Sequence, residues 1–89
     1  MIQQELEIIN KLGLHARAAA KLVKLSSSFS ASIDIEKDGQ RVNSKSIMGV
    51  MMLAASMGSK VTVSADGEDE DDALAAVVDL INRRFDEEE

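Results

Sequence analysis

His15 is the single histidine of an 89-residue chain that contains no cysteine. Nucleophilic chemistry by an imidazole or a thiol therefore falls to this one ring. The ring stands between Gly13-Leu14 and the run Ala16-Arg17-Ala18-Ala19-Ala20. A glycine followed by strong helix formers places it at a helix N-terminus, near the N-cap. Unpaired backbone N–H groups gather at such an end, and the helix dipole is positive there. A neutral imidazole keeps one nitrogen with a free lone pair. The amides of Ala16 and Arg17 can hold an anion arriving at that nitrogen, and the Arg17 side chain brings a fork of donors to the same anion. A nucleophilic ring, a cationic clamp and a positive field are what a phosphoryl acceptor needs. The plainer reading is a surface or capping histidine, and one residue with an arginine nearby does not separate the two. The sequence names no third group that would fix the ring.

Ser46 is the second candidate. Its plain role is an N-cap, with its hydroxyl accepting an orphan N–H. Phosphorylated, it would carry about two negative charges at a helix N-terminus, which the dipole tolerates.

The elements that position these residues follow from periodicity. Residues 4–9 alternate, with Leu6 and Ile8 on one side and Glu5 and Glu7 on the other, as in a half-buried strand. From Ala16 the period changes. Ala18, Leu22, Leu25 and Phe29 form an apolar stripe beside a basic one of Arg17, Lys21, Lys24 and Ser28, predicting an amphipathic helix that ends at Ser26-Ser27-Ser28. Ile33 and Ile35 mark a second strand. Asp38-Gly39 then predicts a type I′ hairpin turn, since both central positions want positive φ, leading into a strand from Gln40 to Asn43. Ile47 to Met57 reads as a short helix ending at Gly58, with Val50, Leu53 and Ala54 inward. Val61, Val63 and Ala65 mark a fourth strand. The last helix buries Leu74, Val77, Val78, Ile81 and Phe85, with Asp69 to Asp72 at its positive end and Arg83-Arg84 at its negative end. Residues 86–89 are expected to fray as an acidic tail. The order is β-α-β-β-α-β-α in one domain over residues 1–89. Alternating strands imply a sheet with one wet face, and hence a two-layer α/β sandwich with all helices on the other face.

Composition narrows the function. Hydrophobic residues make up 45%, enough for a modest core, and only Phe29 and Phe85 are aromatic, too few for a base-stacking platform. The net charge of −6 disfavours nucleic acid and anionic lipid. Charge is uneven: residues 1–45 hold seven basic and five acidic side chains, whereas residues 46–89 hold three and eleven. The segment 11–24 holds Lys11, Arg17, Lys21 and Lys24 without an acid, a local patch suited to an acidic protein or a phosphoryl group. No apolar run approaches the roughly 20 residues of a membrane span, and the N-terminus lacks a signal-peptide pattern. A cytoplasmic monomer without metal or cofactor is the expectation.

The segment NKLGLHARAAAKLVKLSSSF closely resembles the active-site segment of the HPr family, the histidine-containing phosphocarriers of the bacterial phosphotransferase system. VNSKSIMGVMMLAASMGSKVTVSADGEDEDDAL resembles the second signature of that family, so the likeness covers nearly the whole chain. The resemblance implies a four-stranded antiparallel sheet in the order 1-4-2-3 under three helices. It implies that His15, through Nδ1, takes a phosphoryl group from phosphorylated enzyme I and gives it to an enzyme IIA domain, with Arg17 supporting the phosphate. It places Ala16, Ala20, Lys24, Ile47, Met48 and Met51 on the partner-facing edge. The stretch from Asn43 to Gly49 resembles the site used by HPr kinase/phosphorylase, which would act on Ser46. Two departures stand out. Ala18 replaces the Pro of many members, which loosens the helix entry around Arg17. The tail is longer and more acidic than in members that bring a C-terminal carboxylate near the histidine. The Ala-rich first helix, MMLAASMG and LINRRFDEEE look like the nitrogen-related branch (NPr-like), whereas the Ser46 segment also fits sugar-branch members; the balance leans to a regulatory role. The rival expectation is a non-catalytic domain that binds an acidic protein through the basic first helix.

Overall fold

The strand alternation is realised as a sheet with one apolar and one polar face. The computed structural model describes residues 1–88. Its elements are β1 (Ile2–Glu7), α1 (Ala16–Ser27), β2 (Ser32–Lys37), β3 (Gln40–Asn43), α2 (Ile47–Met52), β4 (Lys60–Asp66) and α3 (Glu70–Asn82), followed by a tight turn over Arg84–Asp86. The sheet order is β1-β4-β2-β3, antiparallel throughout, as the family resemblance implies. Leu6 pairs with Val61, Ile35 with Val63 and Ile33 with Ala65, which puts these residues on the face that the helices cover. On the open face Arg41 lies across the strands. Its Nε donates to Asp34 Oδ2 at 2.9 Å and its Nη2 to Ser64 Oγ at 3.1 Å, so the buried Ser64 hydroxyl has a partner. The β2–β3 turn has φ of 51° at Asp38 and 82° at Gly39, as a type I′ turn requires.

The core gathers Leu22 and Ala18 from α1, Val50 from α2 and Val77, Leu80 and Ile81 from α3. Polar groups also tie the layers together. Ser44 Oγ donates to Ser26 Oγ at 2.9 Å, and Asp69 accepts the backbone N–H groups of Ser30 and Ala31 at 2.9 and 2.8 Å. Those two amides, Ser30 first, hold the Asp69 carboxyl below its ordinary value against the opposing effect of burial.

Three local expectations are corrected. The second helix ends at Met52, not Met57: Ala54 turns left-handed at φ 51°, is exposed, and faces away from the core. The reason is tertiary. The Ala55 carbonyl accepts the Leu14 N–H at 2.8 Å, the Leu53 carbonyl accepts Lys37 Nζ at 3.3 Å, and the Gly58 N–H goes to Ile8 at 2.7 Å. Segment 53–59 thus straps α2 to the ends of β1 and β2, and Gly58 is no helix cap. Gly13 makes the close approach possible, because a Cβ there would stand 2.4 Å from the Ala55 oxygen. Second, α3 stops at Asn82, and Phe85 is buried from a left-handed turn, not from a helical stripe; φ is 58°, 54° and 63° at Arg84, Phe85 and Asp86. Leu80 is buried from α3 as well, while Val78 is only partly buried. Third, part of the tail expected to fray over 86–89 is docked: Asp86 lies 3.9 Å from Lys21 Nζ and Glu87 is held by three residues described below. Glu89 lies outside the described residues.

Candidate functional site

The β1–α1 loop, the start of α1 and the C-terminal turn converge on His15. His15 is the N-cap of α1, with φ −73° and ψ 176°, and its carbonyl accepts the Ala19 N–H at 2.8 Å. Its side chain caps nothing and is 25% exposed, so the ring is free for other chemistry. Ala16 and Arg17 follow as the first two helical residues, whose N–H groups have no partner within the helix. Arg17 is 70% exposed, so its side chain can turn to meet an arriving anion.

The group that the sequence did not name is Glu87. Its Oε2 is hydrogen-bonded to His15 Nε2 and lies 3.9 Å from Arg17 Nε. Its Oε1 accepts Asn10 Nδ2 at 3.0 Å. Burial pushes the Glu87 carboxyl up, but the hydrogen bonds from His15 and Asn10 and the charges of His15 and Arg17 outweigh it, and the net shift is downward. The carboxylate is therefore ionised and can only accept. Its contact with the ring thus calls for a proton on His15 Nε2 and leaves Nδ1 outside that bond. Asn10 was missed as well. It is wholly buried, and its Nδ2 also donates to the Gly13 carbonyl at 2.8 Å. Neither residue carries a local signal, since Glu87 meets His15 from 72 positions away and Asn10 from 77.

The expected partner-facing residues lie on two packed helices. Ala16, Ala20 and Lys24 recur every four residues along α1 and are exposed, as are Ile47, Met48 and Met51 on the neighbouring α2. Met52 and Met57 extend the exposed apolar surface, at 65% and 60%. Ser46 caps α2, its Oγ accepting the Gly49 N–H at 3.2 Å, and remains exposed. The basic stripe of α1 is partly answered from within the chain, because Lys21 lies 3.9 Å from Asp86 and Arg17 faces Glu87. Among the described residues no group of three or more His, Cys, Asp or Glu could hold a metal ion, and no helix is long and apolar enough to cross a membrane.

Comparison with known proteins bears on this arrangement. The family described as the PTS HPr component phosphorylation site matches residues 2–83. The phosphocarrier protein HPr of Cupriavidus necator is 53% identical over 89 residues, covering all of both chains. Among solved structures, HPr-C-His from Thermoanaerobacter tengcongensis is 52% identical with a TM-score of 0.97 over the full length of both chains. An HPr dimer from the same organism is 52% identical with a TM-score of 0.79, covering 98% of this chain and 100% of that one.

Proposed function

This chain belongs to the HPr family of phosphocarrier proteins of the phosphotransferase system, and from that premise we propose that His15 Nδ1 is the atom that carries the phosphoryl group. The protein is a phosphocarrier, not an enzyme that turns over a small molecule, and its role is set among enzyme I and enzyme II components. A purely non-catalytic interaction domain is not the reading that this membership favours.

The observation that carries the reading is the state of His15. Its ring is partly exposed at the positive end of α1, Nε2 is bonded to Glu87, and Nδ1 stands outside that bond. The Nδ1 attacks the phosphorus of phosphorylated enzyme I. Negative charge on the transferring oxygens is met by the Ala16 and Arg17 amides and by the Arg17 guanidinium. The acceptor downstream is an enzyme IIA domain. The docking surface comprises Ala16, Ala20 and Lys24 of α1 with Ile47, Met48 and Met51 of α2, where flexible methionines suit successive partners. Ser46, exposed at the start of α2 beside this surface, is a regulatory phosphorylation site for an HPr kinase/phosphorylase. The pathway output leans to nitrogen-related regulation over sugar uptake. The working state is a cytoplasmic monomer, with no nucleic-acid or membrane ligand, consistent with the net charge of −6.

The test is incubation with phosphoenolpyruvate and enzyme I. Wild type gains the mass of one phosphoryl group, labile to acid and stable to base. An equal gain by His15→Ala removes His15 from its role.

A further inference from the structure

Every sulfur atom of the chain lies at its surface. There are five methionines and no cysteine, and all five methionines are exposed, Met48 at 69% and Met51 at 42%. Methionine is among the residues most often buried, yet the core here is built from Ala, Val, Leu, Ile and Phe85 without one. Four of the five fall between residues 48 and 57. The helix α2 sorts its own three by face. Val50 is buried beneath it, as is Leu53 at its C-cap. Met48, Met51 and Met52 stand three and four positions apart and share the outward side, next to Ile47. Met1 belongs to the other layer of the molecule, where Arg41 Nη2 donates to its Sδ at 3.9 Å on the open face of the sheet. With no thiol in the chain, these thioethers are the groups that a peroxide meets first.

We propose that Met48, Met51 and Met52 form a reversible oxidation site, at which a hydroperoxide converts the thioethers to sulfoxides and weakens the docking of enzyme I. The inference rests on the docking surface assigned above and adds a redox control to it. In the step, a sulfur lone pair attacks the terminal oxygen of the peroxide. The O–O bond breaks and an S–O bond forms. The proton of the transferred oxygen goes to the departing oxygen, which leaves as water or an alcohol. Sulfur gives up two electrons and the peroxide takes them. A pair of thiols reverses the step: the sulfoxide oxygen leaves as water, and the thiols become a disulfide. The oxidised side chain is polar and presents an acceptor oxygen where an apolar, adaptable one stood. Covered by a partner that offers no donor, that oxygen costs binding free energy. The fold does not share the cost, because the core holds no sulfur to oxidise. His15 is not altered by the step, so the effect falls on docking and not on the transfer itself.

The test treats the full-length protein with hydrogen peroxide, removes the peroxide by gel filtration, and only then adds enzyme I. Fragmentation mass spectrometry should place oxygen on Met48 and Met52 first and on Met51 later, in the order of their exposure. Titration calorimetry should give a Kd for enzyme I raised about tenfold or more, the effect of one polar group buried without a partner. With phosphoenolpyruvate and enzyme I, the KM for the oxidised protein should rise with little change in kcat, and its urea midpoint should not move. A methionine sulfoxide reductase with dithiothreitol should restore both mass and affinity. The triple variant Met48→Leu, Met51→Leu, Met52→Leu, whatever its starting affinity, should bind enzyme I equally before and after peroxide, whereas Met57→Leu should lose affinity on treatment as wild type does. Equal Kd values for oxidised and reduced wild type overturn the proposal and leave the carrier reading in place. So do sulfoxides confined to Met1 and Met57, a loss of affinity that persists in the triple variant, or one matched by a fall in the urea midpoint. Untreated protein that takes no phosphoryl group from enzyme I overturns the carrier reading, and the proposal with it.

Discussion

In the proposed transfer, His15 works between two charged neighbours, Glu87 and Arg17. Arg17 is largely exposed and only 3.9 Å from Glu87, so at rest it shares the carboxylate with the ring and does not grip it. A phosphoryl group carries more charge than a carboxylate and offers three acceptor oxygens, so it competes for the fork of Arg17. Arg17→Glu should therefore slow transfer from enzyme I by a factor of about 100, the loss typical of one removed oxyanion donor, with an unchanged urea midpoint. Rapid-quench kinetics check the first part and denaturation by circular dichroism the second. The residue-level reading of the chain placed His15, Arg17 and Ser46 at helix starts, because a glycine-led helix start and a capping serine are local patterns. It could not find Asn10 or Glu87, whose partnership is made by the fold.

At the scale of elements, the C-terminal turn shows how packing overrides periodicity. Continuing α3 as a helix would have buried Phe85 on the stripe of Leu74, Val77 and Ile81. Instead three left-handed residues redirect the chain, at a cost of about 1–2 kcal/mol each, and Phe85 enters the core from the turn. Full burial of the aromatic ring, joined by the Lys21 and Glu87 contacts that the turn makes possible, offsets that strain. Phe85→Ala should cost about 3–5 kcal/mol of stability, read as a lower urea midpoint. It should also release Glu87 from His15, read as a changed His15 ring spectrum. The helix α2 gives the same lesson: composition and the Gly58 stop favour eleven helical residues, yet the chain leaves the helix at Ala54 because Leu14 and Lys37 need the carbonyls of Ala55 and Leu53. At its other end Ser46 behaves as its type suggests, capping Gly49. Ser46→Asp keeps a capping acceptor, so the fold should hold, while the added charge beside the docking helices should weaken enzyme I binding. Titration calorimetry reads the change, and equal affinity would remove charge repulsion as the mechanism.

For the whole molecule, two carboxylates stitch distant parts of the chain. Asp69 joins the start of α3 to the loop after α1, and Glu87 joins the C-terminus to the β1–α1 loop. Both are held below their ordinary values of 3.8 and 4.5. A depressed carboxyl contributes stability that is fully present above its unfolded value and is lost as pH falls through the folded one. The urea midpoint should therefore decline as pH drops below 4.5, and Glu87→Gln should remove part of that decline. An identical pH profile for the variant and wild type would show that the Glu87 contacts contribute no linked stability. The same stitching joins the basic first half of the chain to its acidic second half, so part of the α1 charge is answered internally by Asp86 and Glu87 before any partner arrives.

The amino-acid sequence by itself determined the element order, the faces of three of the four strands, the stripe of α1, the type I′ turn and the placing of His15 and Arg17 at a helix start. These rest on periods of two and 3.6 and on single-residue backbone preferences, which act over a few positions. The early end of α2, the left-handed turn at Phe85 and the grip of Asn10 and Glu87 on the ring were decided only in the tertiary structure. Each joins residues far apart in the chain, and a hydrogen bond or a packed side chain between them acquires its free energy only when the whole sheet and its helices are assembled.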